Sequence, residues 1–175
     1  YREKIQPNGF KAMIVTSSRH AAVMYKSMLD ELNAPSSNVI ISGDHNDPEE
    51  LRKYTDSTEH KKIIKDFKEN DLNESKCHII IVKDMLLTGF DVPICQVMYL
   101  DRKIMDHSLL QAIARVNRPK EGKQRGFVVD YYGLASYLTS ALDQFTQDDV
   151  KGVLKELKDE IPKLDRAYNK VLEFF

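Results

Sequence analysis

The chain has 175 residues, with 26 Lys and Arg against 27 Asp and Glu, for a formal charge of −1. That balance excludes a uniformly basic nucleic-acid coat. A content of 42% hydrophobic and 30% charged residues, with seven Gly and six Pro, excludes a disordered or collagen-like chain. No apolar run reaches the roughly 18 residues of a membrane-spanning helix, and the start Tyr-Arg-Glu-Lys lacks the layout of a signal peptide. Cys77 and Cys95 fall outside any CxxC or Cys/His ligand spacing. The expectation is a cytoplasmic protein with no metal held by its own side chains and no disulfide. Because the first residue is Tyr1, the chain reads as a piece of a longer polypeptide.

In chain order, apolar runs of strand length occur at 11–16, 39–42, 78–82, 96–100 and 126–131. Between the first two, Ala21, Ala22, Met24, Tyr25, Met28, Leu29 and Leu32 form a helical stripe expected to bury against a sheet, with Ser17 or Ser18 as cap. Asp47-Pro48-Glu49-Glu50 reads as a capped helix start, and Ile63, Ile64 and Phe67 continue the helical layer. Strands that alternate with helices and are apolar throughout, not on alternate residues, belong to a parallel sheet covered on both faces. The fold class expected is α/β. After Tyr131-Tyr132-Gly133 no strand signal remains. Val150, Val153, Leu154, Leu157 and Ile161, then Leu164, Tyr168, Val171 and Leu172, predict a helical extension, so the division expected is a domain over 1–135 and the beginning of a helical region over 136–175.

Near-neutrality hides asymmetry: residues 102–125 carry seven bases and two acids, a candidate anion-binding window. In open parallel sheets ligands gather at the carboxyl ends of strands. After the first strand come Ser17, Ser18 and Arg19, which suit a phosphate oxygen but equally an ordinary cap beside a solvated arginine. The second leads into Ser42-Gly43-Asp44, a turn in which Gly43 is expected to take positive φ. The third is followed by Lys83-Asp84, three apolar residues and Thr88-Gly89-Phe90-Asp91. Gly89 allows close backbone approach to a ligand, Asp91 suits a ribose hydroxyl, and Lys83 a phosphate; a tight turn capped by Asp91 explains the same residues equally well. In QAIARVNRP, 111–119, a step of about 100° per residue puts Gln111, Arg115 and Arg118 on one helix face and Leu109, Ala112, Ile113 and Val116 on the other. Pro119 ends the helix, so Arg118 is expected to project from its terminus.

The succession of strand-SSRHAA, ISGD, KDMLLTGFDVP, QAIARVNRP and GFVVDYYG resembles the second RecA-like motor domain of superfamily 2 helicases and translocases, and more closely the restriction (R) subunit of type I restriction enzymes. The resemblance covers 11–135, with TGFD and QAIARVNR its most specific stretches. It implies a RecA-like parallel sheet flanked by helices, with Arg115 and Arg118 as arginine fingers and Gly89, Asp91 and Gln111 facing nucleotide. By the same resemblance Ser17, Ser18, Arg19, Ser42, Gly43 and Lys83 would face the nucleic-acid backbone. Ala114 stands where the wider superfamily often has Gly, and Lys83 where it often has Thr. The resemblance further implies ATP and Mg²⁺ held jointly with a first motor domain, double-stranded DNA as partner, upstream motor and nuclease domains in the same chain, and methyltransferase and specificity subunits. Neither a GxxxxGK[ST] loop nor a nuclease motif is present in the 175 residues. The expected function is therefore part of an ATP-dependent DNA translocase and endonuclease, inactive alone. The alternative is a RecA-like adaptor that binds nucleic acid or protein without hydrolysis.

Overall fold

A computed structural model describes residues 1–87, 89–104 and 106–133, and of 106–108 only the helical backbone. The first strand, β1 (Lys11–Thr16), is buried along its whole length, as a central strand covered on both faces must be. Parallel partners β3 (Ile79–Val82) and β4 (Cys95–Asp101) flank it, and β2 (Ser37–Ile40) and β5 (Phe127–Asp130) lie outside them. The order is β2-β3-β1-β4-β5, with every pairing parallel. Helices α1 (Arg19–Glu31), α2 (Glu49–Arg52) with α3 (Ser57–Phe67), and α4 (Asp106–Val116) fill the β1–β2, β2–β3 and β4–β5 crossovers, while β3 passes to β4 through a loop. This is the α/β architecture expected. The helical extension expected over 136–175 lies outside the described residues, as does Thr88 of the Thr-Gly-Phe-Asp stretch.

Four details differ from the sequence reading. The second strand begins two residues early, because Ser37 and Asn38 pair with Ile79 and Ile80 on β3 despite their polarity. Asp47 does not cap α2, whose first turn has no side-chain cap; its carboxylate is drawn into a tertiary contact instead. The following helix has its own cap, Asp56, which accepts from Thr58 N (2.7 Å) and Glu59 N (2.9 Å). On α1 the apolar stripe is only partly covered: Ala22 is fully buried, whereas Met24 is 54% and Leu32 73% exposed. The seven apolar residues span an arc wider than the sheet covers, and the side centred on Ala22 is the one that packs.

The core also takes in one cation. Lys11 is fully buried, and its Nζ donates to Asp66 O (3.0 Å) and Ser75 Oγ (2.6 Å). Burial pushes its pKa down. Before β5, Gly126 lies so close to the end of α4 that an added Cβ would stand 2.2 Å from Val116 O. Its N–H donates to Asn117 Oδ1 at 3.1 Å, so β5 and the helix terminus are fixed to one another. A cavity of about 290 Å³ lined by Phe10, Gln96 and Phe127 opens at the amino-terminal edge of the sheet. The opposite, carboxyl-terminal edge is an open rim of loops.

Candidate functional site

That rim carries Ser17, Ser18, Arg19, Ser42, Gly43 and Lys83, whereas Arg115 and Arg118, at the end of α4 beside the start of β5, together with Gly89 and Asp91 on the loop leading to β4, lie toward the amino-terminal side of the sheet. At the β1 end, Thr16 Oγ1 bonds Ser18 O (2.9 Å) and Val82 O (3.2 Å), tying the start of α1 to β3. Ser18 is the cap: its Oγ accepts from Ala21 N at 3.0 Å. Ser17 is exposed and leaves its hydroxyl on the rim. Arg19 turns sideways, donating to Ser42 O (2.9 Å) and to Asp47 Oδ2 (2.5 Å), which also accepts from Asp44 N (2.6 Å). The Arg19 hydrogen bond holds the Asp47 carboxyl below its ordinary range. Arg19 thus braces the 42–47 turn. Gly43 does not adopt positive φ; what it provides is room, since a Cβ there would come 3.2 Å from Thr55 Cβ.

At the β3 end, Lys83 Nζ lies 2.6 Å from Asp84 Oδ2. From the end of β4, Arg102 Nη1 donates to Lys83 O (3.1 Å) and to Asp84 Oδ1. Its hydrogen bonds to Lys83 and Arg102 hold the Asp84 carboxyl below its ordinary range, against the burial that would raise it. Nothing in the sequence reading assigned Arg102 or Asp84, although Arg102 stands within the basic window.

The turn after β3 is held from α4. Leu86 and Gly89 both have φ of +67°; the first is an unusual conformation for a branched side chain and persists only where neighbours enforce it. Arg115 supplies that restraint, with Nε donating to Leu87 O at 3.2 Å and Nη1 to Phe90 O. Phe90 is itself buried and stacked on Phe67, with ring centroids 6.4 Å apart. Arg118 follows the helix end as expected. It is 48% exposed and its Nε lies 3.6 Å from Oδ1 of Asp91, itself 64% exposed. Gln111 is exposed on the same helix, while Leu109, Ala112 and Val116 are buried. The structure therefore brings Gly89, Asp91, Arg115 and Arg118 together. It separates the two arginines by role: one is bound to backbone carbonyls, the other is accessible. Among the described residues, no three His, Cys, Asp or Glu side chains come together to hold a metal.

A parallel sheet in this order, flanked by helices, is a RecA-like fold. One solved structure with this fold is Mss116p DEAD-box helicase domain 2 bound to an RNA duplex, with a TM-score of 0.54 and 14% identity over 81% of this chain and 50% of that one. The sequence relationships are narrower. Residues 43–133 match the family described as type I restriction enzyme subunit R domain 3. A Methanocaldococcus jannaschii protein named as the type I restriction enzyme MjaIXP endonuclease subunit is 38% identical over 178 residues, covering 100% of this chain and 17% of that protein. The type I restriction enzyme HindI endonuclease subunit of Haemophilus influenzae is 40% identical over 159 residues, 83% of this chain and 15% of that protein. The chain belongs to the type I restriction enzyme R-subunit family and contains its second RecA-like domain. It spans only about a sixth of the length of those relatives.

Proposed function

We propose that this domain is half of an ATP-driven DNA motor within a type I restriction R subunit. The observation that carries the reading is Arg118: an accessible guanidinium just past the end of α4, beside Asp91, on a turn held in place by Arg115. ATP, when bound, supplies the γ-phosphoryl group that is transferred to water. Arg118 is aimed at that group across a cleft shared with a first motor domain, which holds the phosphate loop and the Mg²⁺. A finger of this kind stabilises charge on the phosphoryl oxygens and contributes about 10³–10⁵ in rate. Asp91, at present facing Arg118, is placed for the ribose, Gly89 leaves the backbone open for close approach, and Gln111 lines the approach on α4. Arg115 completes the pocket by holding the turn.

The carboxyl-terminal rim of the sheet faces DNA. Ser17, Ser18 and Arg19, the Ser42-Gly43 turn and Lys83 meet phosphates of the backbone and carry no base information, so sequence choice rests with another subunit. Closure of the cleft engages Arg118, hydrolysis releases it, and alternation of grip on the backbone becomes movement. Upstream motor and nuclease domains and the methyltransferase and specificity subunits complete the assembly, in the cytoplasm. No helix among the described residues is long and apolar enough to cross a membrane.

Displacement of a triplex-forming strand by the full-length protein tests the reading. The motor reading requires ATP-dependent displacement that Arg118→Ala abolishes while DNA binding persists. A wild-type protein that binds DNA and never displaces the strand is an adaptor, and the motor reading fails.

A further inference from the structure

The sheet order makes the β1–β4 edge a reversal point: the chain leaves β1 toward β2 on one side, and returns from β3 across β1 to reach β4 on the other. Crevices at such reversals are where open α/β sheets take their ligands. Arg102, the first residue past β4, reaches the carbonyl of Lys83, the first residue past β3, at 3.1 Å. Its side chain therefore crosses the end of β1, where exposed Ser17 emerges. The carboxylate of Asp84 lies between the two cations, bonded to Arg102 and 2.6 Å from Lys83 Nζ. Lys83 and Asp84 are 37% and 57% exposed, so this triad is accessible to solvent.

We propose that Arg102 and Lys83 form a phosphate-binding pair for the nucleic-acid backbone, and that Asp84 is the internal counter-anion a backbone phosphate displaces. The assignment rests on the DNA-facing reading of Lys83 and extends it to two residues. Its chemistry follows from the geometry. The Arg102 fork is already oriented by the Lys83 carbonyl, so it donates to a phosphate oxygen at little cost in ordering. Exposed carboxylate pairs are weak, so Asp84 gives way readily to a polyanion. With Asp84 in place the triad carries one net positive charge and grips lightly; with it displaced, two cations face the backbone. A motor that must release its track each cycle needs that moderation.

The test is equilibrium binding of fluorescent duplex DNA to the full-length protein across a salt series, with Mg-ATP titrated separately. Asp84→Asn should tighten DNA binding by about two- to fivefold. It should also steepen the dependence of log K on log salt by roughly one charge. Arg102→Met should weaken binding equally on unrelated sequences and make that slope shallower by about one. Lys83 and Asp84 are on the surface and Arg102 is part-buried, and unchanged thermal melting confirms that the variants fold. If Lys83→Met weakens binding while Asp84→Asn and Arg102→Met leave affinity and slope unchanged, the inference is overturned and the backbone-facing rim survives. No response from any of the three removes both. An effect confined to Mg-ATP binding overturns the inference by assigning the pair to nucleotide.

Discussion

Replacement of Gly126 by alanine is the sharpest local test of how the arginine-bearing helix is positioned. An ideal Cβ there would stand 2.2 Å from Val116 O, 2.5 Å from Val116 C and 3.0 Å from Asn117 N. All three are backbone atoms at the end of α4, so no rotation of a side chain relieves the clash. Ordinary carbon–oxygen contacts begin at about 3.3 Å, and the strand and helix end must therefore part by roughly 1 Å. The same movement stretches the 3.1 Å bond from Gly126 N to Asn117 Oδ1. Overpacking of this sort costs about 1–3 kcal/mol and the lost hydrogen bond about 0.5–1.5, together about 1.5–4.5 kcal/mol. For a domain of this size that lowers Tm by roughly 5–15 °C. Thermal unfolding by circular dichroism reads it, with two glycine controls. Gly43→Ala meets only the Thr55 side chain at 3.2 Å, and Gly89→Ala meets nothing but must hold φ at +67°. Gly43→Ala should cost about 1 kcal/mol or less and Gly89→Ala about 1–2 kcal/mol. A Gly126→Ala variant no less stable than Gly43→Ala would refute the claim that β5 fixes the helix end from which Arg118 emerges.

The Arg115 guanidinium bridges two carbonyls, which a lysine ammonium cannot copy with the same fixed fork. Arg115→Lys should therefore speed amide exchange across 87–91 with little change in global stability; unaltered exchange would show that the turn holds itself. Lys123 donates to Pro93 O (2.7 Å) and Cys95 O (2.8 Å), and burial pushes its pKa down to about 8. Between about 8 and its ordinary value of 10.5 the unfolded chain binds the extra proton, so this residue's contribution to stability rises with pH across that window. Burial raises the Cys77 thiol to about 11 and the Cys95 thiol to about 12, which acts in the opposite direction above pH 9. The readout is therefore the difference in Tm between wild type and Lys123→Met, which should grow from pH 7 to pH 10; a constant difference would mean that Lys123 stays charged.

Much of this was legible in the residues. β1 was placed to the residue because its apolar interior, 12–15, has one plausible environment, and the helix through 111–116 was expected because its apolar and cationic positions separate at helical spacing, although the start of α4 at Asp106 was not. Arg118 was expected beyond the helix end because Pro119 forbids continuation, and it is there. The misses have a common cause. Asp47 resembled a cap in sequence, but a carboxylate takes the strongest donor within reach, and only the tertiary fold brings Arg19 from 28 residues away. The true cap, Asp56 with Glu59 three residues later, carried a readable signature that was passed over. Arg115 could not be seen as a brace, since its partners are carbonyl oxygens, which every residue has. Likewise Arg102 and Asp84 become a unit only because β1 separates the strands that carry them, which is topology and not pattern.

The most direct test of the central claim is DNA-stimulated ATP hydrolysis by the full-length protein with Arg115 and Arg118 both changed to alanine. The account predicts that hydrolysis falls by about 10³-fold or more while DNA is still bound. Hydrolysis at the wild-type rate would contradict it.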